Sequence, residues 1–519
     1  MTDPSAAVNR KKQSSSLLKS SSIVSAMTLI SRVLGLLRDI LVASYFGARA
    51  DAFFVAFKIP NFFRRLFAEG AFSAAFVPVL SEYKVEERDI KHLVRSVAGS
   101  LLAILGPFTI IAVAAAPILT WVFAPGFADD VDKFALTSDL LRITFPYLLL
   151  ISLTAFYGSV LNTYGQFAIP AITPVLLNIS LIVATLYFTP WFDEPLMALA
   201  WGVLLAGVTQ LAFQLPFVMK LGLLALPKPA FADVGVRRIL KLMVPALFGV
   251  SVSQINMLLD ILLASFLESG SVSWLYYSDR LTQLPLGIFA IALAVVILPS
   301  LSKKHAAQDQ GQFVITLDWA VRMVLLIGLP SALALIVLAQ PLMMTIFYRG
   351  EISIYDIQKM TSSLQAYSAG LLAFMLIKVL APGYFARQDT KTPVKIGIKA
   401  MFLNMLFNVP LVLTLAHTGL ALATTLSAYF NALLLFLGLR KLGFYKAQAG
   451  WWPWVLRIVI ACLAMVAVIF CLNPAIESWT GFSEWQRIGW TSILVGAGVL
   501  VYLLCLLVLG VRIRHLKVG

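Results

Sequence analysis

Asp39-Ile-Leu-Val-Ala-Ser-Tyr-Phe46 and Asp260-Ile-Leu-Leu-Ala-Ser-Phe-Leu267 are near copies 221 positions apart, and the rest of the chain is read from them. Phe76-Val-Pro78-Val-Leu-Ser81 pairs with Ile297-Leu-Pro299-Ser-Leu-Ser302 at the same spacing. Pro107 pairs with Pro330, Pro117 with Pro341 and Pro170 with Pro393 at offsets of 223 to 224. A register that barely drifts over five landmarks marks an internal duplication.

The sequence between the landmarks is apolar. Of 519 residues 60% are hydrophobic and 13% charged, and the mean hydropathy is +0.89, more than a soluble core of this size uses. A spanning helix needs about 20 mostly apolar residues, and the chain has stretches for about fourteen. The predicted fold is an all-α membrane protein: two pseudo-symmetric six-helix lobes and a C-terminal helix pair. Because each repeat holds an even number of helices, the two lobes share one orientation, as in transporters with a symmetry axis along the membrane normal. The expected divisions are a polar, poorly ordered tail over 1–21, lobes over 22–225 and 226–445, and a final pair with its tail over 446–519.

The net charge of +15 is topological rather than a nucleic-acid footprint, because Lys and Arg gather in alternate short loops. Lys84, Arg88 and Lys91, then Lys303 and Lys304, then Arg440, Lys441 and Lys446 place those loops and both termini in the cytoplasm. The intervening loops carry acids, such as Asp129, Asp130 and Asp132, and face the other side. Cys462, Cys471 and Cys505 all lie in the last two apolar segments and suggest no disulfide or metal framework. His92, His305, His417 and His515 read as solvated loop or tail residues. With no phosphate-cradling glycine loop, no metal-ligand spacing and no soluble domain for a nucleotide, an enzyme is not expected.

Charge inside a bilayer must face a cavity or a partner. Arg32 and Arg38 lie in the first span, about 120° apart around the helix and about 9 Å along it. Lys58, Arg64, Arg65 and Glu69 lie in or beside the second span, which Asp51 opens, and Asp279 and Arg280 lie in the eighth. Guanidinium groups keep their charge and bind phosphate oxygens in pairs, so a diphosphate is the ligand this set best explains. Structural ion pairs, Arg38 with Asp39 or Glu69 and Arg280 with Asp279, are the alternative. Lys378, deep in its span, either lines a cavity or snorkels.

A second set comprises Asp260 in the seventh span, Asn404 and Asn408 one turn apart in the eleventh, and Thr424 in the twelfth. These oxygens would suit Na⁺, or Asp260 alone could carry H⁺; interhelical hydrogen bonding is the bland reading. No other cofactor is expected. Prolines recur through the spans, which suits a rocking transporter better than a rigid anchor.

Ser31-Arg32-Val-Leu-Gly-Leu-Leu-Arg38-Asp39, Asp51-Ala-Phe-Phe-Val-Ala-Phe-Lys58-Ile-Pro60-Asn61-Phe-Phe-Arg64-Arg65-Leu-Phe-Ala-Glu69-Gly70, Ser271-Val-Ser-Trp-Leu-Tyr-Tyr-Ser-Asp279-Arg280 and Lys378-Val-Leu-Ala-Pro382-Gly-Tyr-Phe-Ala-Arg387-Gln-Asp389-Thr-Lys391-Thr-Pro393 together resemble the signature of the MurJ/MviN family over nearly the whole chain. The resemblance implies a fourteen-helix member of the multidrug/oligosaccharidyl-lipid/polysaccharide exporter superfamily in the bacterial inner membrane. It implies flipping of lipid II, the undecaprenyl-diphosphate-linked peptidoglycan precursor, to the periplasmic leaflet by alternating access during cell-wall synthesis. Residues matching Arg32, Arg38, Arg64 and Arg280 would line a central cavity, and Asp51 and Glu69 would matter for function. The last two helices would form a groove for the lipid tail. Asp260, Asn404, Asn408 and Thr424 resemble a sodium site of some members, whereas Gln283 stands where a close family pattern has an acid. The partners implied are lipid II, membrane lipids and cell-wall synthesis machinery, with no nucleic acid. The competing readings are a flippase for an O-antigen or capsule lipid-oligosaccharide, a drug/cation antiporter, which the arginines disfavour, and a non-transporting cell-wall scaffold.

Overall fold

The computed structural model describes residues 4–66 and 71–512. Among them every regular element is helical. The first ten are α1 (Pro4–Phe46), α2 (Ala50–Arg64), α3 (Ala71–Val85), α4 (Ile90–Ala114), α5 (Ala116–Phe123), α6 (Val131–Thr144), α7 (Tyr147–Thr163), α8 (Ala168–Val183), α9 (Met197–Lys220) and α10 (Val234–Ser265). The others are α11 (Ser271–Pro285), α12 (Ile291–Ala306), α13 (Gln310–Val337), α14 (Ala339–Phe347), α15 (Ile354–Phe385), α16 (Lys391–Lys441), α17 (Trp451–Leu472), α18 (Ile476–Gly481) and α19 (Glu484–Val508).

Ten helical stretches of described residues are long and apolar enough to cross a membrane. One of them, α16, contains two of the predicted spans, because Ala416 leaves the helical region at φ 48°, ψ −132°. The reversal there is tight: a side chain at Gly419 would meet the Leu411 carbonyl at 2.1 Å. Other predicted spans divide where proline removes a backbone donor. The eighth span, by contrast, runs on as one helical stretch: α11 to Pro285, a π-helical turn over Leu286–Ala290, and α12. At the amino end, α1 starts at Pro4, where the sequence reading expects an unordered tail. Proline suits a first helical turn, and residues 5–21 contain no Gly or Pro to interrupt the helix.

The duplication is written into the backbone. Glu87 and Gln308, 221 apart, both take left-handed φ (52° and 55°) just before α4 and α13. Gly222 and Gly443, again 221 apart, do so after α9 and α16 (69° and 75°), and Gly165 and Gln388, 223 apart, do so after α7 and α15 (77° and 62°). A left-handed residue without glycine is unfavourable by about 1 kcal/mol, so its recurrence at matched places reflects a shared chain path. Asp89 and Asp309 then cap α4 and α13 alike, each accepting a backbone N–H at 2.9 Å.

Two compact units share the chain, Met1–Phe266 and Leu267–Gly519. By the repeat α10 begins the second copy; by packing it lies in the first unit, along α3. Both ends of this segment are fastened there. The Lys228–Pro229 backbone runs so close to α4 that a Cβ on Gly99 would sit 2.2 Å from it, and a Cβ on Gly126 would sit 2.3 Å from the Ser265 carbonyl oxygen. The Arg238 guanidinium donates to Glu82 of α3 at 2.7 Å. The first unit's core, including Phe72, Phe76, Phe156 and Val160, and the second's, including Phe313, Leu317, Val324 and Leu371, are fully buried.

Candidate functional site

The arginines of α1 face different surroundings. Arg32 is half-buried and makes no hydrogen bond or ion pair among the described residues. Arg38 is 8% exposed and held on two sides: Nε and Nη2 donate to Asp39 Oδ1, and Nη1 donates to Asn178 Oδ1 of α8 at 3.0 Å. The Asn178 amide in turn donates to the Ser31 carbonyl at 2.9 Å. One amide on α8 therefore contacts α1 at Arg38 and beside Arg32.

On α2, Asp51 is buried and pairs with Lys133 of α6 at 3.2 Å. The Lys133 ammonium also lies over the Phe127 ring, 4.1 Å from its centroid, so cation–π attraction adds to the pair. Lys58 and Arg64 are half-buried, and Arg64 Nε donates to Asn61 Oδ1 at 2.9 Å. Arg65 is exposed and reaches Gln254 of α10 at 3.5 Å. Glu69 lies outside the described residues.

In the second unit Asp279 and Arg280 are half-buried on α11, and Asp279 accepts from Gln283, the residue standing where an acid was expected. Asn404 and Asn408 are fully buried. Asn408 donates to Asn404 Oδ1 at 3.0 Å, and the Asn404 amide lies 3.4 Å from Thr424 Oγ1 and 3.5 Å from Ser427 Oγ. Three of the four residues read as a cation set thus meet, with Ser427 as an addition, and Asp260 is half-buried on α10 of the first unit. Lys378 is exposed on α15. In the Arg387–Pro393 stretch the Thr392 hydroxyl and backbone amide hold the Asp389 carboxyl below the usual carboxylate range.

His417 is not a solvated loop residue. It is 3% exposed, its Nε2 lies 3.1 Å from the Lys359 carbonyl, and its ring packs 5.0 Å from Trp274. The break at Ala416 turns it inward, which a hydropathy reading of a short polar turn does not foresee.

Asn178 and Lys133 also escaped the sequence reading. Asn178 had a signal, being a lone amide in the apolar run Pro174-Val-Leu-Leu-Asn-Ile-Ser-Leu. Lys133 was masked by the three acids just before it, which made the loop read as acidic.

A multi-span helical chain built from two repeats, with arginines held in its spans, defines a class of multi-span transporters. Solved structures agree on that fold: an inward-facing multidrug resistance MATE family transporter of the MOP superfamily is similar over 80% of this chain and 94% of its own, with a TM-score of 0.63 at 16% identity. A structure described as lipid II flippase MurJ in an inward closed conformation is similar over 93% of this chain and 97% of its own, with a TM-score of 0.77 at 28% identity. The family profile described as lipid II flippase MurJ matches residues 42–488, and the chain belongs to that family. A probable lipid II flippase MurJ of Vibrio cholerae is 48% identical over 96% of this chain and 98% of its own length. The lipid II flippase MurJ of Burkholderia cenocepacia is 42% identical over 88% and 90%.

Proposed function

We propose that the chain moves lipid II from the cytoplasmic to the periplasmic leaflet of the bacterial inner membrane by alternating access, with both termini in the cytoplasm. The family match over most of the chain supports the reaction. One observation carries the choice of ligand: Arg32, half-buried in an apolar span, has no partner of its own among the described residues. A charge kept in the membrane without a carboxylate is costly unless something anionic meets it, and a lipid diphosphate supplies that anion. Arg38, Arg64, Arg280 and Lys58 would extend the same field, and Asp51, Glu69 and Asp279 would hold the cations in place. The α17–α19 pair would receive the polyprenyl tail. Na⁺ at Asp260 with Asn404, Asn408 and Thr424, or H⁺ on Asp260, would couple the cycle, and the cell-wall synthesis machinery would take up the product.

The chain works by binding and release, because its proposed substrate crosses the membrane unchanged.

The test is complementation of cells depleted of their own flippase, with leaflet-resolved accessibility of lipid II as the direct readout. Arg32→Ala, Arg38→Ala and Arg280→Ala are each expected to abolish support of growth and outward transfer while reaching the membrane at the normal level. Full complementation by all three would overturn the diphosphate site, and normal lipid II transfer in depleted cells lacking the chain would overturn the function.

A further inference from the structure

We infer that Asn178 is a positioning residue that aims the α1 arginines at an anionic ligand while leaving their charge available. The inference rests on the lipid-diphosphate reading above and names a residue that reading does not require.

Asn178 is 5% exposed in the apolar wall of α8 and uses both ends of its amide. Its oxygen accepts from Arg38 Nη1 at 3.0 Å, and its nitrogen donates to the Ser31 carbonyl at 2.9 Å and lies 3.4 Å from Ser31 Oγ. Ser31 and Arg38 stand seven residues apart, two turns on one face of α1. A single amide therefore fixes the rotation of α1 against α8 and the direction of one guanidinium. Arg32 follows Ser31 directly in the chain, so the same contact sets the face on which it emerges.

Charge explains why an amide suits this place. Arg38 already has a carboxylate, the buried Asp39. With Arg32 counted, the three side chains carry one net positive charge. A neutral acceptor orients Arg38 without changing that balance. A second carboxylate would orient it equally well and bring the balance to zero, removing the attraction for a phosphate in a medium where a single charge at a few ångströms is worth tenfold or more in binding. Bland helix-to-helix hydrogen bonding would be served by Ser, Thr or Gln as well, and would be indifferent to what the protein binds.

The experiment measures binding of undecaprenyl diphosphate, with undecaprenyl monophosphate for comparison, to the purified full-length protein in detergent, alongside thermal unfolding. Asn178→Asp, nearly the same size, is expected to fold and to weaken diphosphate binding by about tenfold or more. Asn178→Ala is expected to weaken it less and to reduce the preference for diphosphate over monophosphate, since the guanidinium is no longer aimed. Asn178→Gln, which can restore the amide, is expected to recover part of that preference. Lowered unfolding temperatures with unchanged affinity and preference in the folded Asn178→Asp and Asn178→Ala proteins would overturn the positioning role and leave the flippase reading standing. Absence of diphosphate binding by the unmodified protein would overturn the ligand reading itself, and this inference with it.

Discussion

Replacing Asp318 by Asn should loosen the last helix pair. Asp318 is 2% exposed on α13, and its carboxylate is the meeting point of the segment between α16 and α17. Oδ1 accepts from Tyr445 Oη at 3.0 Å, Trp451 Nε1 at 2.7 Å and the Gln448 backbone at 3.4 Å; Oδ2 accepts from Arg322 Nε at 2.8 Å. Arg322 then donates to the carbonyls of Gln448 and Ala449, and its guanidinium lies 5.3 Å from the centre of the Trp451 ring. Asparagine can keep the acceptor for Trp451 and Tyr445 but presents an N–H₂ to Arg322, so one charge-assisted contact is lost and two donors face each other. A hydrogen bond to a charged group is worth about 1.5–3 kcal/mol. Arg322 keeps its two carbonyls and some solvent, so a loss of about 2 kcal/mol is expected, and about 4 kcal/mol for Asp318→Ala, which also strands the Tyr445 and Trp451 donors.

Cys462, 1% exposed on α17, reports the opening. With Cys471→Ser and Cys505→Ser in the background, maleimide labelling of Cys462 should track the fraction of open helix pair. An increase of about 30-fold for Asp318→Asn corresponds to the 2 kcal/mol above. Labelling unchanged in both Asp318 variants, with the rest of the protein folded, would refute the claim that this carboxylate holds α17 down.

Packing and the proposed coupling give two further outcomes. Gly99→Ala should cost about 1–3 kcal/mol in thermal unfolding, because its Cβ would meet the Lys228 and Pro229 backbone at 2.2–2.4 Å and neither can swing away; Gly106→Ala on the same helix meets nothing within 4 Å and should be neutral or slightly stabilising. If Na⁺ couples transport, sodium should raise the unfolding temperature of the purified protein relative to potassium, and Asp260→Asn should abolish that difference; an equal response in both proteins would remove Asp260 from the site.

Residue by residue, legibility in the sequence tracked how local the cause was. The spans and the repeat could be read because hydropathy and proline spacing act over a few neighbouring residues. The irregularity after Pro285 was signalled by the proline itself, although its form, a π-helical turn within one long helical stretch, needed the backbone. Of the proposed site, the residue types and their helices were legible, and their partners were not. Arg38 could equally have faced a ligand or Asp39; its pairing with Asn178, 140 positions away, depends on which helix lies beside α1.

By itself, then, the sequence determined an all-helical membrane chain, duplicated with a stride of about 221, carrying more cations than anions in its spans. Apolar length and charge content are properties of the linear chain, and a bilayer sorts segments by them directly. The tertiary structure alone decided that α10 packs with the first unit, that Lys133 answers Asp51, that His417 is buried and that Asp318 gathers the approach to α17. Each of these is a choice of neighbour, fixed by close packing and by the need to satisfy buried polar groups across distances that no run of residues encodes.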